Sequence, residues 1–414
     1  MKIMLLTPHY LPEVRSVSVL MSQLAEDLAG MGHHVTVITP YPPQHVEMDT
    51  FSAAVAREER GAVHVVRIPV LPFVKVLPAM RAITHFTLAG LMFAAGARQE
   101  RHDLIIAYSP PLTLALASEG LGRLWRSPFI LNVQDLYPQT LIDLGIVRNP
   151  IVVAVLRWME RRAYSSAAAI TVHSGGNREL LIRGGVPEGK ITVVPNWVDT
   201  SHVGRGGLNP YRAEWGLGDS FVVLFAGVMG YAQDMTIIIE AATRLQDEPG
   251  IVFVLVGDGV RRREAEALAR SRGLTNVRFF PFQPVERYPL LVEAADCCLV
   301  TLQATVATPV VPSKIAGIMA ASRPIVAAVP PGDAREIVED SGGGICVPPG
   351  DSQALARAVL FLARDPASRR AMGEAGRRYV ETHFSRRAAT EIYGRLVEDL
   401  TRASAKDNSL AGSK

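Results

Sequence analysis

From Lys2 to Val347 short apolar runs alternate with stretches of helical periodicity, and this alternation restricts the fold more than any other feature. Lys2–Leu6, His34–Thr39, Val63–Ile68, Leu104–Tyr108, Phe129–Val133, Ala169–Val172 and Ile191–Val194 read as strands, with Val17–Gly30 as the first intervening helix. Near-continuous apolar strands separated by helices belong to parallel sheets covered on both faces. A second series follows at Phe221–Phe225, Val252–Val256, Val277–Phe280, Cys297–Leu302, Pro324–Ala328 and Gly344–Val347. Between the two lies 200–218, where Gly204, Gly206, Gly207 and Asn209-Pro210 have the composition of a linker. Two α/β, Rossmann-like domains are therefore expected, 1–199 and 219–383, followed by a helix over 384–402 and a disordered tail over 403–414.

The chain has 414 residues, enough for two cores of about 200 residues each. With 48% apolar and 20% charged residues it is globular, and a net charge of +3 is too small to argue for nucleic acid, though it permits anionic ligands. Cys297 and Cys298 are adjacent and cannot readily pair. With Cys346 they read as buried thiols of a reducing, cytoplasmic compartment, and no metal-ligand spacing appears. The first apolar run is too short for a signal peptide and reads as a strand. The longest one, Ala82–Ala97, contains His85 and falls short of a membrane span. Lys75, Arg81 and Arg98 flank it, which permits peripheral contact of 70–98 with an anionic membrane, on the inner face of the cell membrane.

Chemistry concentrates at Val311-Pro-Ser-Lys-Ile-Ala-Gly-Ile-Met-Ala-Ala-Ser-Arg-Pro-Ile-Val326. Lys314 follows Pro312-Ser313 and opens an apolar helix that stops before a strand. Main-chain N–H groups at a helix start, beside an ammonium, suit a phosphate. Further glycine turns end strands at Phe225-Ala-Gly-Val-Met-Gly-Tyr-Ala-Gln-Asp234 and Val254-Leu-Val-Gly-Asp-Gly-Val-Arg261. In the first half Asn132-Val-Gln-Asp-Leu-Tyr-Pro-Gln139 leaves a strand at the edge where open α/β sheets bind ligands.

In that order these segments resemble the family 4 glycosyltransferases, enzymes of the GT-B fold. The Pro-Ser-Lys-Ile-x-Gly-Ile-Met-Ala-Ala form looks most like the amino-sugar transferases of bacterial surface-polysaccharide pathways. The resemblance implies two Rossmann-like domains facing across a cleft, with the last helix crossing back to the first domain. It places Gly227 and Gly230 beside a nucleotide diphosphate, with Gln233 where many members carry a lysine. It adds Gly257, Asp258 and Gly259 from the second turn, Phe282 against the base, and Ser313, Lys314 and Gly317 from the late block. Lys314 is the first candidate to neutralise the diphosphate, and Arg262 or Arg263 the next. Arg15 and Ser16 stand where the family carries glycines near that group. Asp135, with Lys314, is implied in the reaction itself, hydrogen-bonding hydroxyls in the cleft.

One departure is large. The two acidic positions that contact donor sugar and ribose in the family fall at Pro309 and Gly317, and Asp333 and Glu336 are the alternative polar groups nearby. The implied reaction is a retaining transfer from a UDP-sugar, an acetamido sugar, to a lipid-linked or saccharide acceptor, with no cofactor and no required metal. The double-carboxylate arrangement of retaining hydrolases is absent. An NAD dehydrogenase would want Gly-x-Gly-x-x-Gly after the first strand, and Thr7-Pro-His-Tyr10 has no glycine. A nucleotide-sugar epimerase and a non-catalytic GT-B binding subunit stay open as alternatives.

Overall fold

The computed structural model describes residues 1–13, 16–42, 55–69, 78–143, 145–200, 209–306, 309 and 311–411. They form two compact units. One comprises Met1–Ile142, Val147–Asn196 and the segment from Arg386, the other Trp197–Ser385 with Asp143–Ile146.

The first unit is an eight-stranded sheet of β1 (Lys2–Leu6), β2 (His34–Pro40), β3 (Ala56–Arg60), β4 (Val63–Ile68), β5 (Leu104–Ser109), β6 (Phe129–Val133), β7 (Ala169–Val172) and β8 (Ile191–Val193). Its spatial order is β3-β4-β2-β1-β5-β6-β7-β8, and every pairing is parallel except β3 with β4. The sequence gives no apolar sign of β3, Ala56-Arg-Glu-Glu-Arg60. It forms at a sheet edge, where one backbone partner suffices and charged side chains face water. The helices are α1 (Ser16–Gly30), α2 (Pro78–Ala97), α3 (Thr113–Trp125), α4 (Gln139–Asp143), α5 (Pro150–Ser166) and α6 (Gly175–Arg183).

Strand parity divides the helices between the two faces. Met4, Leu6, Ile38, Val66, Ile105, Leu131 and Val172 share a core with Leu88 and Met92 of α2, Leu114 and Leu121 of α3, and Met159 and Ala163 of α5. Each such side chain taken out of water contributes roughly 1.5–3 kcal/mol. Side chains of opposite parity include Asn132 and Thr171, which both hydrogen-bond the hydroxyl of Tyr393 on the C-terminal helix.

The second unit is a six-stranded parallel sheet of β9 (Phe221–Ala226), β10 (Ile251–Val256), β11 (Val277–Phe280), β12 (Cys297–Thr301), β13 (Ile325–Ala328) and β14 (Gly344–Val347), in the order β11-β10-β9-β12-β13-β14. Counted from β9 this is the doubly wound order 3-2-1-4-5-6. Its helices are α7 (Pro210–Glu214), α8 (Met235–Arg244), α9 (Arg262–Ser271), α10 (Tyr288–Glu293), α11 (Lys314–Ala320), α12 (Asp333–Asp340), α13 (Ser352–Arg364) and α14 (Pro366–His383). The final helix, α15 (Arg386–Ala411), returns to the first unit, where Arg386 pairs with Asp27 of α1 at 2.6 Å.

Two expected boundaries differ. Of the linker 200–218, residues 201–208 lie outside the described residues, while 209–218 belong to the second unit. There Asn209 caps α7 by accepting from the Tyr211 N–H at 3.0 Å, and Tyr211 is fully buried. A Gly- and Asn-rich signal thus marks a capped helix start. The stretch 403–414, expected to be a disordered tail, continues α15 as far as Ala411, and 412–414 lie outside the described residues. Its Ala-, Lys- and Asp-bearing sequence prolongs a helix already nucleated upstream.

Strand order reverses between β1 and β5 in the first unit and between β9 and β12 in the second. Connections diverge at such switch points and leave a crevice at the C-terminal strand ends. Of the functional residues expected from the sequence, Gly227, Gly257 and Asp135 follow such strand ends.

Candidate functional site

In the second unit β9 ends at Ala226, and Gly227 leaves it at φ +141°, a backbone region closed to side chains. The turn runs to Asp234, whose carboxylate accepts from the Ile237 N–H at 3.2 Å and starts α8. The turn after β10 packs on it main chain to main chain. Gly227 N donates to Val256 O at 2.9 Å, Met229 N to Asp258 O at 2.8 Å, and Arg261 N to Met229 O at 2.9 Å. A Cβ at Gly257 would overlap the carbonyl oxygen of Gly227, and one at Gly259 that of Met229. Glycine is required here by the contact of the two turns. Gln233 braces the same turn, its Oε1 accepting from Gly230 N at 3.1 Å.

Beneath this double turn lies Lys314, the first residue of α11. Its Nζ is buried 3.7 Å from the centre of the Phe225 ring, and a Cβ at Gly227 would stand 3.3 Å from it. It hydrogen-bonds to none of the described residues. Burial pushes its pKa down from 10.5 to about 7, with the Cys298 thiol acting weakly the other way. A desolvated ammonium without a counter-ion is an incomplete ion pair, and an anion brought to the Gly227 turn would restore its charge.

The other expected donor-side residues divide. Phe282 is 53% exposed and open to a stacking partner. Asp258 is exposed, and its Oδ1 accepts from the Gly259 N–H at 2.7 Å. Ser313 is exposed and makes no side-chain cap. Arg262 is not available as a diphosphate cation: it pairs with Glu266 at 2.8 Å and donates to Gly257 O at 2.6 Å and Phe280 O at 3.2 Å. Its charge ties the ends of β10 and β11 together, while Arg263 is exposed. A Cβ at Gly317 would stand 3.2 Å from Cε1 of Tyr288. This tyrosine, absent from the sequence reading, fills the space beside Gly317, and burial raises its phenol above the ordinary range. A glutamate at 317 would have to displace that ring. Pro309 is half-buried, Asp333 opens α12 half-buried, and Glu336 is exposed on the same helix.

In the first unit Asp135 lies in the turn after β6. It is open to solvent on one side, yet protein crowding the other holds its carboxyl above the ordinary aspartate range, with the His173 imidazole pulling weakly downward. Around it a chain of polar side chains runs along the sheet edge. Gln134 Nε2 donates to Asn132 Oδ1 at 2.8 Å, Asn196 Nδ2 to Gln134 Oε1 at 2.7 Å, and His173 Nε2 lies 2.9 Å from Gln134 O and 3.0 Å from Asn177 Nδ2. Asn132 and Thr171 close the chain on Tyr393. After β1, His9 Nδ1 meets Glu13 Oε2 at 2.8 Å, and the Glu13 side chain is nearly buried. None of His9, Glu13, His173, Asn177 or Tyr393 was singled out from the sequence. Only the i,i+4 spacing of His9 and Glu13 offered a local signal. Ser16 is exposed at the first turn of α1, and Arg15 lies outside the described residues. No three His, Cys, Asp or Glu side chains gather as metal ligands among the described residues.

Comparison with known proteins identifies the family of both halves of the chain. Residues 17–197 match the model of the glycosyl transferase 4-like domain, and residues 209–379 that of the glycosyl transferases group 1. The chain is 29% identical over 374 residues to the putative colanic acid biosynthesis glycosyl transferase WcaI of Escherichia coli, covering 87% of this chain and 91% of that one. Among solved structures, sucrose-phosphate synthase of Thermosynechococcus elongatus superposes with a TM-score of 0.75 at 20% identity, covering 97% of this chain and 99% of the other. HepE of Anabaena in complex with UDP-glucose superposes with a TM-score of 0.72 at 18% identity, covering 96% and 100%. At these identities the structural likeness speaks to the fold.

Proposed function

The chain belongs to the family 4 glycosyltransferases of the GT-B fold, and from that premise we propose a retaining transfer of an N-acetylated amino sugar from a UDP-sugar to a lipid-linked or saccharide acceptor. The work is done on the cytoplasmic side, in surface-polysaccharide assembly. The observation that carries this reading is the buried Lys314 Nζ beneath the Gly227–Gly230 turn, set over the Phe225 ring and hydrogen-bonded to none of the described residues. A diphosphate at that turn meets main chain without a Cβ in the way and supplies the missing counter-charge. The UDP-glucose complex of HepE and the colanic acid role of WcaI support the donor class and the pathway. The Pro312-Ser-Lys-Ile-x-Gly-Ile-Met-Ala-Ala321 form supports the amino sugar.

On this reading the bond from the sugar C1 to the diphosphate oxygen breaks as the acceptor oxygen bonds C1 from the same face. The acceptor proton passes to the leaving diphosphate. Lys314 stabilises the negative charge that grows there, and Asp135 positions the acceptor hydroxyl. The chain's own groups provide this stabilisation, so no metal is required.

The test is incubation with UDP-N-acetylglucosamine, UDP-N-acetylgalactosamine and UDP-glucose and a lipid-linked acceptor, read by UDP release and by proton NMR of the new anomeric centre. An α-linked product from an α-linked donor is expected, with the acetamido donors preferred. A β-linked product would overturn the retaining route. UDP binding without turnover would point to a non-catalytic binding subunit.

A further inference from the structure

Three helices, α2, α3 and α5, cover one face of the first unit's sheet. They are tied together by the Thr113 hydroxyl, which donates to His85 O at 2.9 Å, and by Arg162 pairing with Glu119. Their inner faces build the core. Their outer faces should then be polar, as on an ordinary solvent-facing helix, and two of them are not. On α5, Ile151 is 73% exposed and Trp158 56%, with Val152 and Val155 also exposed. Ile151, Val155 and Trp158 follow each other at helical spacing and form one outward stripe, with Pro150 and Ala154 beside it. On α2, Ile83 and Phe86 are more than half exposed, and Phe93 continues the same face.

Charge around the stripe has one sign. Between 145 and 166 the chain carries Arg148, Arg157, Arg161 and Arg162 against the single acid Glu160. Glu160 and Glu119 are turned inward and paired with Arg157 and with Arg123 and Arg162. What faces outward is arginine: Arg148 before the stripe, Arg161 after it and Arg123 beside it on α3, all exposed. An apolar row containing an exposed tryptophan, with arginines at both ends, suits a boundary between hydrocarbon and anionic headgroups. A second copy of this chain would bring arginine against arginine across such a face.

We propose that the outer face of α5, extended by that of α2, is the surface by which this protein lies on an anionic lipid bilayer. Part of α2 falls in the stretch 70–98 expected from the sequence to touch a membrane, of which 70–77 lie outside the described residues. The anchoring stripe on α5 was not expected. Among the described residues no helix is long and apolar enough to cross a membrane, so the contact is superficial. This surface stands apart from the donor assignment and does not depend on it.

The experiment is flotation of the full chain with vesicles of phosphatidylcholine, alone or with about 30% phosphatidylglycerol. Partition into the anionic vesicles only is expected, weakening as salt is raised to about 0.5 M. The double variant Ile151→Glu with Trp158→Glu should lose partition by at least about tenfold, and Arg161→Glu alone by about threefold to fivefold. Both variants change exposed side chains, so melting temperature and UDP affinity should match the wild type, which separates a failed surface from a failed donor site. Absence of flotation overturns the proposal, as does flotation unchanged in the double variant. A concentration-dependent dimer that the double variant abolishes would assign the face to a second copy and overturn it equally.

Discussion

At the ends of β9 and β10 the second unit brings two glycine turns into main-chain contact over a buried lysine. At the ends of β6 and β7 the first unit instead gathers Asn132, Gln134, His173, Asn177 and Tyr393 through their side chains. Both lie at C-terminal strand ends, where a doubly wound sheet opens. They differ in what holds them. The first arrangement depends on the absence of Cβ atoms at Gly257 and Gly259, where one would overlap a main-chain carbonyl oxygen, and on the positive φ of Gly227. The second rests on individual hydrogen bonds, each worth about 1 kcal/mol net, and can lose one member at a time. Main-chain geometry suits a fixed, common group such as a diphosphate. On the proposed reading the exchangeable side chains of the first unit serve the acceptor.

This contrast can be broken most severely at Gly257→Ala. The new Cβ meets the Gly227 carbonyl, and φ is +142°, so a loss of about 3–4 kcal/mol is expected in denaturant unfolding, together with loss of UDP binding. A mild effect would mean that the two turns are not held together as described.

Lys314→Met comes next and acts through pH. The folded-state pKa lies near 7 against 10.5 for the ordinary lysine. Between those values the unfolded chain holds the proton and the folded chain does not, so wild-type stability should rise as pH climbs from about 7 towards 10.5. The variant lacks this rise. It should be more stable than wild type at pH 6 by about 4–5 kcal/mol, the linkage worth of the gap between about 7 and 10.5, and nearly equal near pH 10. Parallel stability curves for the two proteins would show that the ammonium is not buried unpaired.

Tyr393→Phe probes the side-chain network. Its hydroxyl serves both Asn132 and Thr171, and its removal should cost about 1–2 kcal/mol while leaving UDP affinity unchanged. The smallest effect is expected from Gln233→Ala, which removes the acceptor for the Gly230 N–H. It should cost about 0.5–1 kcal/mol and loosen UDP binding by about threefold.

The same contrast explains what could be read from the sequence. Strand alternation locates thirteen of the fourteen strands among the described residues; the exception, Ala56–Arg60, is a charged edge strand whose pairing with β4 leaves no apolar period. The glycine turns and Lys314 were visible because local main-chain requirements leave a local spelling. The polar edge was not, since Asn132 and Tyr393 meet across 261 residues and neither carries a motif. Arg262 looked like a phosphate ligand because its charge is evident and its engagement with Glu266 and two carbonyl groups is not. The missing glutamate at 317 was noticed, but only packing shows Tyr288 beside that position.

The central claim is that Lys314 waits as an incomplete ion pair for a nucleotide diphosphate. Calorimetric titration of UDP into wild type and Lys314→Met at about pH 6.5 and about pH 8.5, on either side of the lysine's pKa of about 7, tests it most directly. The account predicts that the variant binds about 100-fold more weakly at the lower pH. Wild-type affinity should fall as pH rises, because the lysine must regain its proton to bind, and the variant should not share that lysine-linked fall. Equal affinity of the two proteins would contradict it.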